Sequence, residues 1–464
     1  MGPIPWALAT ADGHMVKSSK AQLMHTLERE ASNCEEPSLG SSVQIVDGNA
    51  LLQSIVGLPE NFGQLAEQVF RLLPKAGSVH FVTDSYKPAS IKQMERDRRG
   101  NTAAFNIGGP LTKLPNDFKA FMLNADNKQQ LIRLLLCEWK SPNYARRLHG
   151  RNVYFVCETE CVCLTSDDGV TTTATDIVSL QSDQEEADTR IILHCLFVTA
   201  TAPTDSTIIV LSPDTDVMVL LLAYAHKVQL PLLFDTGTGN KRRLVDIQSI
   251  AASIGPEVCS GLPALHAVTG CDYTSAFVRR GKTKPQQLLQ HNDDFIQLFS
   301  QLGIQPELSP DNFAGIERFV CSMYSRQVYS DINKLRFELF QSRYEMKADF
   351  NTMSVGDGID VSLLPPCRSS LLMHARRANY VTYLWRNSHV PFANIPPPDG
   401  FGWETTPDGL INIVWNDGDI MPQKLVDILE SESNNNAQHC DAEIEEDSEI
   451  DNILDVMFEV DEDD

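Results

Sequence analysis

The feature that most constrains this chain is a set of seven acidic residues, several of which directly follow short, β-branched apolar segments. Such segments are typical of buried strands, and in an open α/β sheet the carboxyl ends of parallel strands border one crevice where ligands bind. Carboxylates gathered there repel one another unless a cation lies between them. The set comprises Asp47, Asp84, Glu186, Asp188, Asp214, Asp216 and Asp272.

Strand-like and helical patterns alternate from Val43 onwards, which predicts an α/β fold with a mainly parallel, twisted sheet and helices on both faces. The polar, Thr-rich residues 160–184 predict an inserted hairpin or loop. Strand signals fade beyond about residue 286. The predicted organisation is an N-terminal extension (1–40), an α/β core (41–290), a mainly helical C-terminal region with a small Trp-containing hairpin (291–429) and a disordered acidic tail (430–464).

The net charge of −24 argues at first against a nucleic-acid partner. Fifteen acidic residues, and no Lys or Arg, lie between Glu430 and Asp464, which leaves a net charge of −9 for residues 1–429. The seven clustered carboxylates account for most of this remainder, and bound divalent ions would offset part of it. Charge therefore neither supports nor excludes binding to nucleic acid.

The sequence contains no run of about 18 uncharged apolar residues and no basic, then apolar, signal peptide at its N-terminus. We therefore expect no membrane partner, and an intracellular protein whose cysteines are reduced. The tightest cysteine group is Cys157, Cys161 and Cys163. It lacks the second close pair that zinc sites usually contain, so we expect buried thiols on a strand.

The most informative pair of acids is Asp214 and Asp216, in TIIVLSPDTDVMVLLL. The predicted strand ends at Leu211, Pro213 cannot continue its hydrogen-bond ladder, and the next helix begins near Val217. Both acids therefore lie on a strand-to-helix turn. A helix cap would explain one Asp but not two at positions i and i+2, so the pair indicates a ligand site.

The acids of SDQEEADTR begin a predicted helix, and two interpretations stay open for them. Acidic residues in a first helical turn suit the helix dipole without any further function. If they bind metal, helical spacing favours Glu185 with Asp188 over Glu186 with Asp188, unless the acids straddle the site.

The remaining acids are weak signals when each is taken alone. Asp47 follows QIV, and we expect the adjacent Gly48 to allow close approach of a phosphate backbone. Asp84 follows HFVT, and Asp272 follows a Gly-Cys turn after the apolar LPALHAV segment. Their order and shared setting at strand ends predict a common site with the other acids.

Together these motifs resemble the flap endonuclease and XPG-like 5′ nucleases of the wider PIN-like superfamily. The resemblance covers about residues 41–290 and depends on IVDGN, VTDSYKPASIK, EAD, DTD and GCDY, of which the last three are the most specific. It implies a parallel-sheet nuclease that hydrolyses phosphodiester bonds with two Mg²⁺ or Mn²⁺ ions. It also implies a nucleic-acid partner, with DNA favoured over RNA, and hence the nucleus over the cytoplasm.

The resemblance further implies a role for each site residue. One ion would be held by Asp47, Asp84, Glu186 and Asp188, and the other by Asp214, Asp216 and Asp272. Lys92 and Arg99 would act catalytically by neutralising charge on the scissile phosphate, and no side-chain nucleophile is needed.

The chain departs from the family's pattern at two places. About 46 residues precede Asp47, whereas family members begin close to their first acid. The helix-hairpin-helix after the last acid is replaced by TSAFVRRGKTKPQQLL, whose basic turn we expect to contact phosphates. The predicted nucleic-acid-binding residues are Lys87, Arg96, Arg98, Arg279, Arg280, Lys282 and Lys284, with residues 241–243 as further candidates.

Three alternatives compete with a nuclease. The DTG at Asp235 resembles an aspartic-protease loop, but that chemistry needs two such residues. The DTD motif resembles a phosphatase nucleophile, but the usual following Thr is Val217. The main alternative is a catalytically decayed PIN-like nucleic-acid-binding or scaffold protein, in which the basic and aromatic residues 376–386 either stack on single strands or pack in the core. An unused cluster of like charges would destabilise the fold, which argues against decay.

Overall fold

The computed structural model describes residues 4–31, 42–87, 90–98, 103–342, 345–346, 353–354 and 360–418, with only the backbone described at 95–98, 345–346 and 353–354. The described residues between Ile4 and Asp417 belong to one compact unit. The predicted disordered tail and Arg99 lie outside the described residues, as do the side chains of Arg96 and Arg98.

The centre of the molecule is an eight-stranded sheet in the order β5-β4-β3-β2-β1-β6-β7-β8. The five strands from β3 to β7 in that order run parallel, while β4, β5 and β8 are antiparallel to their inner neighbours. Its strands are β1 (Ser42–Asp47), β2 (Ser78–Val82), β3 (Asn152–Cys157), β4 (Glu160–Thr165), β5 (Thr173–Asp176), β6 (Thr207–Leu211), β7 (Leu232–Thr236) and β8 (Arg243–Asp246). This confirms the predicted α/β class and the hairpin within residues 160–184.

Helices cover both faces of the sheet because successive residues of each buried strand point to opposite sides. Ile45 lies in one apolar core and Val46 in the other. The first eight helices are α1 (Ala21–Glu28), α2 (Gly48–Gln53), α3 (Phe62–Leu72), α4 (Ile91–Arg98), α5 (Phe118–Phe121), α6 (Ala125–Trp139), α7 (Ala145–Leu148) and α8 (Ala187–Thr201). The remaining helices are α9 (Thr215–Tyr224), α10 (Ile247–Ile254), α11 (Pro256–Val268), α12 (Thr283–Gln290), α13 (Asp293–Gln301), α14 (Pro310–Tyr324), α15 (Ile332–Gln341) and α16 (Arg368–Arg386).

The order of the strands creates a switch point beside β1. After β1 the chain builds outward through β2 and β3, with α3 and α6 on one face, and then returns to β6 and β7, with α8 and α9 on the other. Diverging connections open a crevice at the carboxyl ends of the strands, where α/β proteins bind ligands. The acids that follow β1, β2 and β6 border this crevice.

The C-terminal helices pack directly onto this framework. Residues of α13, α14 and α16 share one apolar core with β6, and α11 contacts α9, α13 and α16. The LPALHAV segment belongs to α11, so the expectation that Asp272 follows a strand is wrong. The segment is apolar all round because helices surround it, and a buried helix and a buried strand then show the same pattern.

Two small antiparallel pairs complete the described structure: β9 (Glu345–Met346) with β10 (Met353–Ser354), and β11 (Trp403–Thr405) with β12 (Ile411–Ile413). The second is the predicted Trp-containing hairpin. Helix α16 packs in the core rather than presenting its basic and aromatic side chains, since Arg377 is fully buried and donates to the carbonyl oxygens of Gly402 and Val414.

The N-terminal segment is also part of the compact unit. Leu23 and Leu27 of α1 are fully buried in the core beside α9 and α12. The amide of Ala276 donates to the carbonyl oxygen of Val16, and Arg243 pairs with Glu28. Among the described helices, none has the length and apolar character needed to cross a bilayer.

Candidate metal centre

Asp47 lies where β1 meets α2 and links two strands of the crevice. Its carboxylate accepts a hydrogen bond from the amide of Ala50 at 2.9 Å, as a helix cap, and another from the Ser212 hydroxyl at 3.0 Å. The same hydroxyl accepts from the amide of Asp214, so one serine joins the acids of β1 and β6. Burial raises the pKa of Asp47 to about 6, and the nearby Asp84 contributes.

Gly48 does not serve the purpose that the sequence predicts. It is buried, and a Cβ there would lie 2.8 Å from the side chains of Phe81 and Thr83. Gly48 is therefore needed for close packing of α2 against the neighbouring strand, and phosphate has no access to it.

The acids after β2 and before α8 meet across the next part of the crevice. Asp84 accepts a hydrogen bond from the amide of Ala187, and Glu186, the residue before α8, forms an ion pair with Lys92 of α4. Glu185 points elsewhere and accepts from the Ser90 hydroxyl at 2.8 Å. Both glutamates precede the helix, so helical spacing does not apply to them, and Glu186 is the one that joins the acidic set.

Asp188, in the first turn of α8, faces Asp214, the residue before α9, and Asp216, in the first turn of α9. Oxygen atoms of Asp188, Asp214 and Asp216 all lie within 4.8 Å of one another. Among the described residues, none donates a hydrogen bond to Asp188 or forms an ion pair with it. Burial, followed by the charge of Asp214, holds its pKa well above the ordinary range. Burial and Asp216 likewise raise the pKa of Asp214 to about 7.

The last acid, Asp272, is joined to the others by a lysine of the N-terminal segment. The Lys20 ammonium lies 2.6 Å from Asp272, 3.0 Å from Asp216 and 3.6 Å from Asp214. Burial opposes the charged amine, but these carboxylates outweigh it and raise the pKa of Lys20. All seven acids therefore border one crevice, and the structure groups Asp188 with Asp214 and Asp216 rather than with Asp47 and Asp84.

A chain of buried hydrogen bonds holds the Asp216 carboxylate in place. Asp216 accepts from His266 Nε2 at 2.8 Å, and His266 Nδ1 lies 3.0 Å from the Lys282 ammonium. The ionised Asp216 carboxylate can only accept and burial lowers the pKa of His266 to about 4, so the neutral ring carries its proton on Nε2 and Nδ1 accepts from Lys282. Burial would raise the pKa of Asp216, but Lys20 and His266 hold it below its ordinary range.

Lys282 is consequently not a nucleic-acid-binding residue, and that prediction is wrong. Its side chain is 1% exposed, and its ammonium donates to the Thr269 hydroxyl at 2.9 Å and to the carbonyl oxygens of His266 and Gly270. These contacts hold the turn that carries Asp272. The turn also requires glycine at 270, where φ is +105° and a Cβ would lie 2.7 Å from the backbone of Ala276.

The other predicted nucleic-acid-binding residues occupy varied settings. Arg279 is exposed, Arg280 stacks 4.3 Å from the centroid of the Tyr324 ring, and the Lys284 amine donates to the carbonyl oxygen of Met323. Lys87 lies 3.6 Å from Asp183 at the mouth of a cavity. Of the further candidates, Arg242 pairs with Asp235, the residue of the protease-like DTG, and Arg243 with Glu28.

The cavity beside the acids has a volume of about 340 Å³. Lys92 and Glu186 line the cavity, and so do the aromatic side chains of Tyr273, Tyr380 and Trp385. The Lys92 ammonium lies 5.6 Å from the centroid of the Tyr273 ring. Carboxylates raise the pKa of Lys92 well above its ordinary value against the effect of burial, so the cavity contains a permanent cation.

Sequence reasoning missed three residues that shape the site: Lys20, His266 and Arg190. The guanidinium of Arg190 is buried and donates to the carbonyl oxygens of Gln184 and Ser182, which fixes the segment that carries Glu186. Arg190 and His266 are each an ionisable residue within an otherwise apolar helical segment, RIILHC and LPALHAV respectively. That pattern is the sequence signal that could have identified them. The cysteines at 157, 161 and 163 are buried on β3 and β4, as expected.

The chain matches none of the protein-family models against which it was compared, and no curated protein matches its sequence. Functional inference therefore depends on the residues and their geometry.

Proposed function

We propose that the chain is a divalent-metal-dependent phosphodiesterase that cleaves nucleic acid, as the resemblance to flap endonuclease and XPG-like nucleases implies. The donor set supports this, because carboxylate oxygens are the ligands that Mg²⁺ and Mn²⁺ prefer. Asp188, Asp214 and Asp216 would hold an ion, with Asp47, Asp84, Glu186 and Asp272 around them. A divalent ion bound there supplies electrostatic stabilisation of phosphate charge and activation of water.

The observation that carries the proposal is the setting of Asp188. It is a largely buried carboxylate that lies against two others and receives no compensating donor from any described residue. A largely buried carboxylate with no hydrogen-bond donor is unfavourable, so a purely structural role would favour Asn or an apolar residue at this position. A cation between the three carboxylates removes the repulsion and gives the position a function.

The surroundings supply what a nucleic-acid substrate needs. Lys92 offers a cation for a phosphate at the edge of the acidic set, and the adjacent cavity offers aromatic surface for a base. His266 orients the Asp216 carboxylate through its inner oxygen, as residues behind metal ligands commonly do. DNA remains the favoured substrate over RNA on the resemblance alone.

A non-catalytic scaffold is the second candidate, and Lys20 favours it. Seven acids that no longer bind metal would destabilise the fold if nothing offset their mutual repulsion. Lys20 and Lys92 neutralise part of that charge from within the chain. The fold therefore tolerates most of the acids without metal, and Asp188 is compensated only by the charge of Lys92, without an ion pair or hydrogen bond from a described residue.

A cleavage assay separates the two candidates. Flap, single-stranded and duplex DNA and RNA would be incubated with the protein in Mg²⁺, Mn²⁺ or EDTA, alongside Asp214→Ala and Asp216→Ala. We expect metal-dependent products from the native protein and none from either variant, while the exposed-site control Asp176→Asn cleaves normally. Binding of substrate without any metal-dependent product would support the scaffold instead.

A further inference from the structure

The N-terminal segment places a cation where the resemblance would put a second metal ion. The Lys20 ammonium contacts Asp272 and Asp216 and lies 3.6 Å from Asp214, and these three acids are the whole of one implied ligand set. We propose that Lys20 permanently replaces the second divalent ion, so that the centre binds a single ion at Asp188, Asp214 and Asp216. This inference depends on the proposed metal centre and specifies its composition.

Lys20 is built into the fold rather than loosely placed. It precedes α1, whose Leu23 and Leu27 are fully buried, so the backbone at Lys20 cannot withdraw without loss of that packing. Three residues earlier, the Lys17 amine donates to the carbonyl oxygens of Asp272 at 2.8 Å and Cys271 at 3.3 Å. The N-terminal segment therefore binds the Asp272 turn twice, through the turn's backbone carbonyl oxygens and through the Asp272 carboxylate.

The contacts of Asp216 divide the site into two parts. One oxygen accepts from His266 and the other from Lys20, while Asp214 lies between Lys20 and Asp188. A divalent ion among Asp214, Asp216 and Asp272 would need all three carboxylates that Lys20 pairs with, and two cations that close together repel each other. An ion at Asp188, Asp214 and Asp216 shares two of them and gains Asp188, with which Lys20 forms no ion pair. On the Asp188 side, Lys20 lies 3.6 Å from Asp214 and the charge of Lys92 acts on Asp188, but no described cation forms an ion pair with Asp188 itself.

Replacing a metal ion with an ammonium changes what the site can do. Lysine supplies one positive charge and hydrogen-bond donors, but it does not activate water as a divalent ion does. Lys20 would therefore stabilise negative charge on one side of a phosphate, while the single ion supports the attacking water on the other. The N-terminal residues before β1, which the resemblance treats as an extension, become part of the reaction centre.

The test counts ions with Mn²⁺ as the probe. Isothermal titration calorimetry should give one Mn²⁺ per chain for the native protein and two for Lys20→Gln. Electron paramagnetic resonance should show an uncoupled ion in the first and a spin-coupled pair in the second, because paired ions lie roughly 3.5–4 Å apart. Lys20→Arg keeps the charge and should still bind one ion, and the exposed-site control Lys75→Gln should match the native protein.

The ion counts distinguish a failure of the proposed role of Lys20 from a failure of the proposed metal centre. Two ions in the native protein, or equal counts in the native protein and Lys20→Gln, would overturn the role of Lys20 while leaving the metal centre intact. No Mn²⁺ binding in any variant would overturn both. Because Lys20→Gln leaves three carboxylates without their cation, its folding is checked by thermal melting in Mn²⁺, and Lys20→Arg provides the ion count in a variant that retains the charge.

Discussion

The two sides of the acidic centre use the same residue type in opposite electrostatic states. On the Asp188 side, formed by Asp188 and Asp214, burial raises both pKa values, with repulsion from Asp214 adding to it at Asp188 and repulsion from Asp216 adding to it at Asp214. On the Asp272 side, formed by Asp216 and Asp272, Lys20 lowers both pKa values against the effect of burial. Acids of one crevice therefore need not share one electrostatic state: Lys20 outweighs burial at Asp216 and Asp272 but not at Asp214.

The largest expected effect comes from Asp188→Asn, which keeps the shape of the side chain and removes its charge. Loss of a metal ligand should lower metal-dependent cleavage by about 10³-fold. The same change should raise the stability of the metal-free protein by on the order of 2 kcal/mol, because it removes a carboxylate that burial and its acidic neighbours disfavour. Urea unfolding in EDTA measures the second effect. A destabilised variant would show that Asp188 has a structural partner.

The next largest effect is the pH dependence of stability, which differs between the Asp188 side and the Asp272 side of the acidic centre. An acid whose pKa is raised in the folded state binds its proton more tightly there, so stability falls as pH rises above its unfolded pKa. For Asp47 and Asp214 this loss runs from pH about 4 to about 7. Asp216 and Asp272 have lowered pKa values, so their contribution is lost below about pH 4 instead.

The expected size follows from the shift of Asp47 alone, which corresponds to about 3 kcal/mol. Thermal unfolding of the metal-free protein between pH 4 and pH 7 measures it. Saturating Mn²⁺ favours the ionised carboxylates that bind it and should remove the part of the decline that comes from Asp214, while the part from Asp47 remains. A melting temperature that falls equally with and without Mn²⁺ would contradict the assignment of the Asp188 side to a cation.

A smaller effect compares two lysines of one basic turn. Lys282→Met leaves the buried carbonyl oxygens of His266 and Gly270 without a donor, which should lower the free energy of unfolding by about 1–3 kcal/mol. The matched change Lys284→Met affects an exposed side chain with one carbonyl contact and should be nearly neutral. Urea unfolding measures the stability of both variants. Equal stabilities of Lys282→Met and Lys284→Met would mean that Lys282 does not hold the Asp272 turn.

The smallest effect concerns the exposed surface. Arg279→Ala removes an accessible charge and should lower the slope of log affinity against log salt by about 1, if the residue contacts a phosphate. Fluorescence anisotropy with labelled single-stranded and duplex DNA over a salt series measures the slope. An unchanged slope, equal to that of the exposed control Arg146→Ala, would remove this turn from the nucleic-acid-binding surface.

The sheet and the crevice acids could be predicted from sequence because local pattern determines them. The apolar segments before Asp47, Asp84 and Asp214 are strands, and parallel strands bring their carboxyl ends together whatever the rest of the chain does. Two motifs showed the limit of this reasoning. Gly48 and the LPALHAV segment both depend on which elements pack against them, and pattern alone does not give that.

Lys20 and Lys282 could not be placed because their roles are long-range. Lys20 reaches acids about two hundred residues away, through packing of α1 that no local pattern encodes. Lys282 lies in a basic turn that is typical of an exposed surface, yet tertiary contacts bury it completely. Charged residues that satisfy buried partners are indistinguishable in sequence from those that meet solvent.

The most direct measurement is the anomalous scattering of Mn²⁺ in crystals of the native protein. We expect one peak within ligand distance of Asp188, Asp214 and Asp216, and the Lys20 ammonium still in contact with Asp272. If crystals saturated with Mn²⁺ hold no manganese at these three carboxylates, they do not form a metal centre.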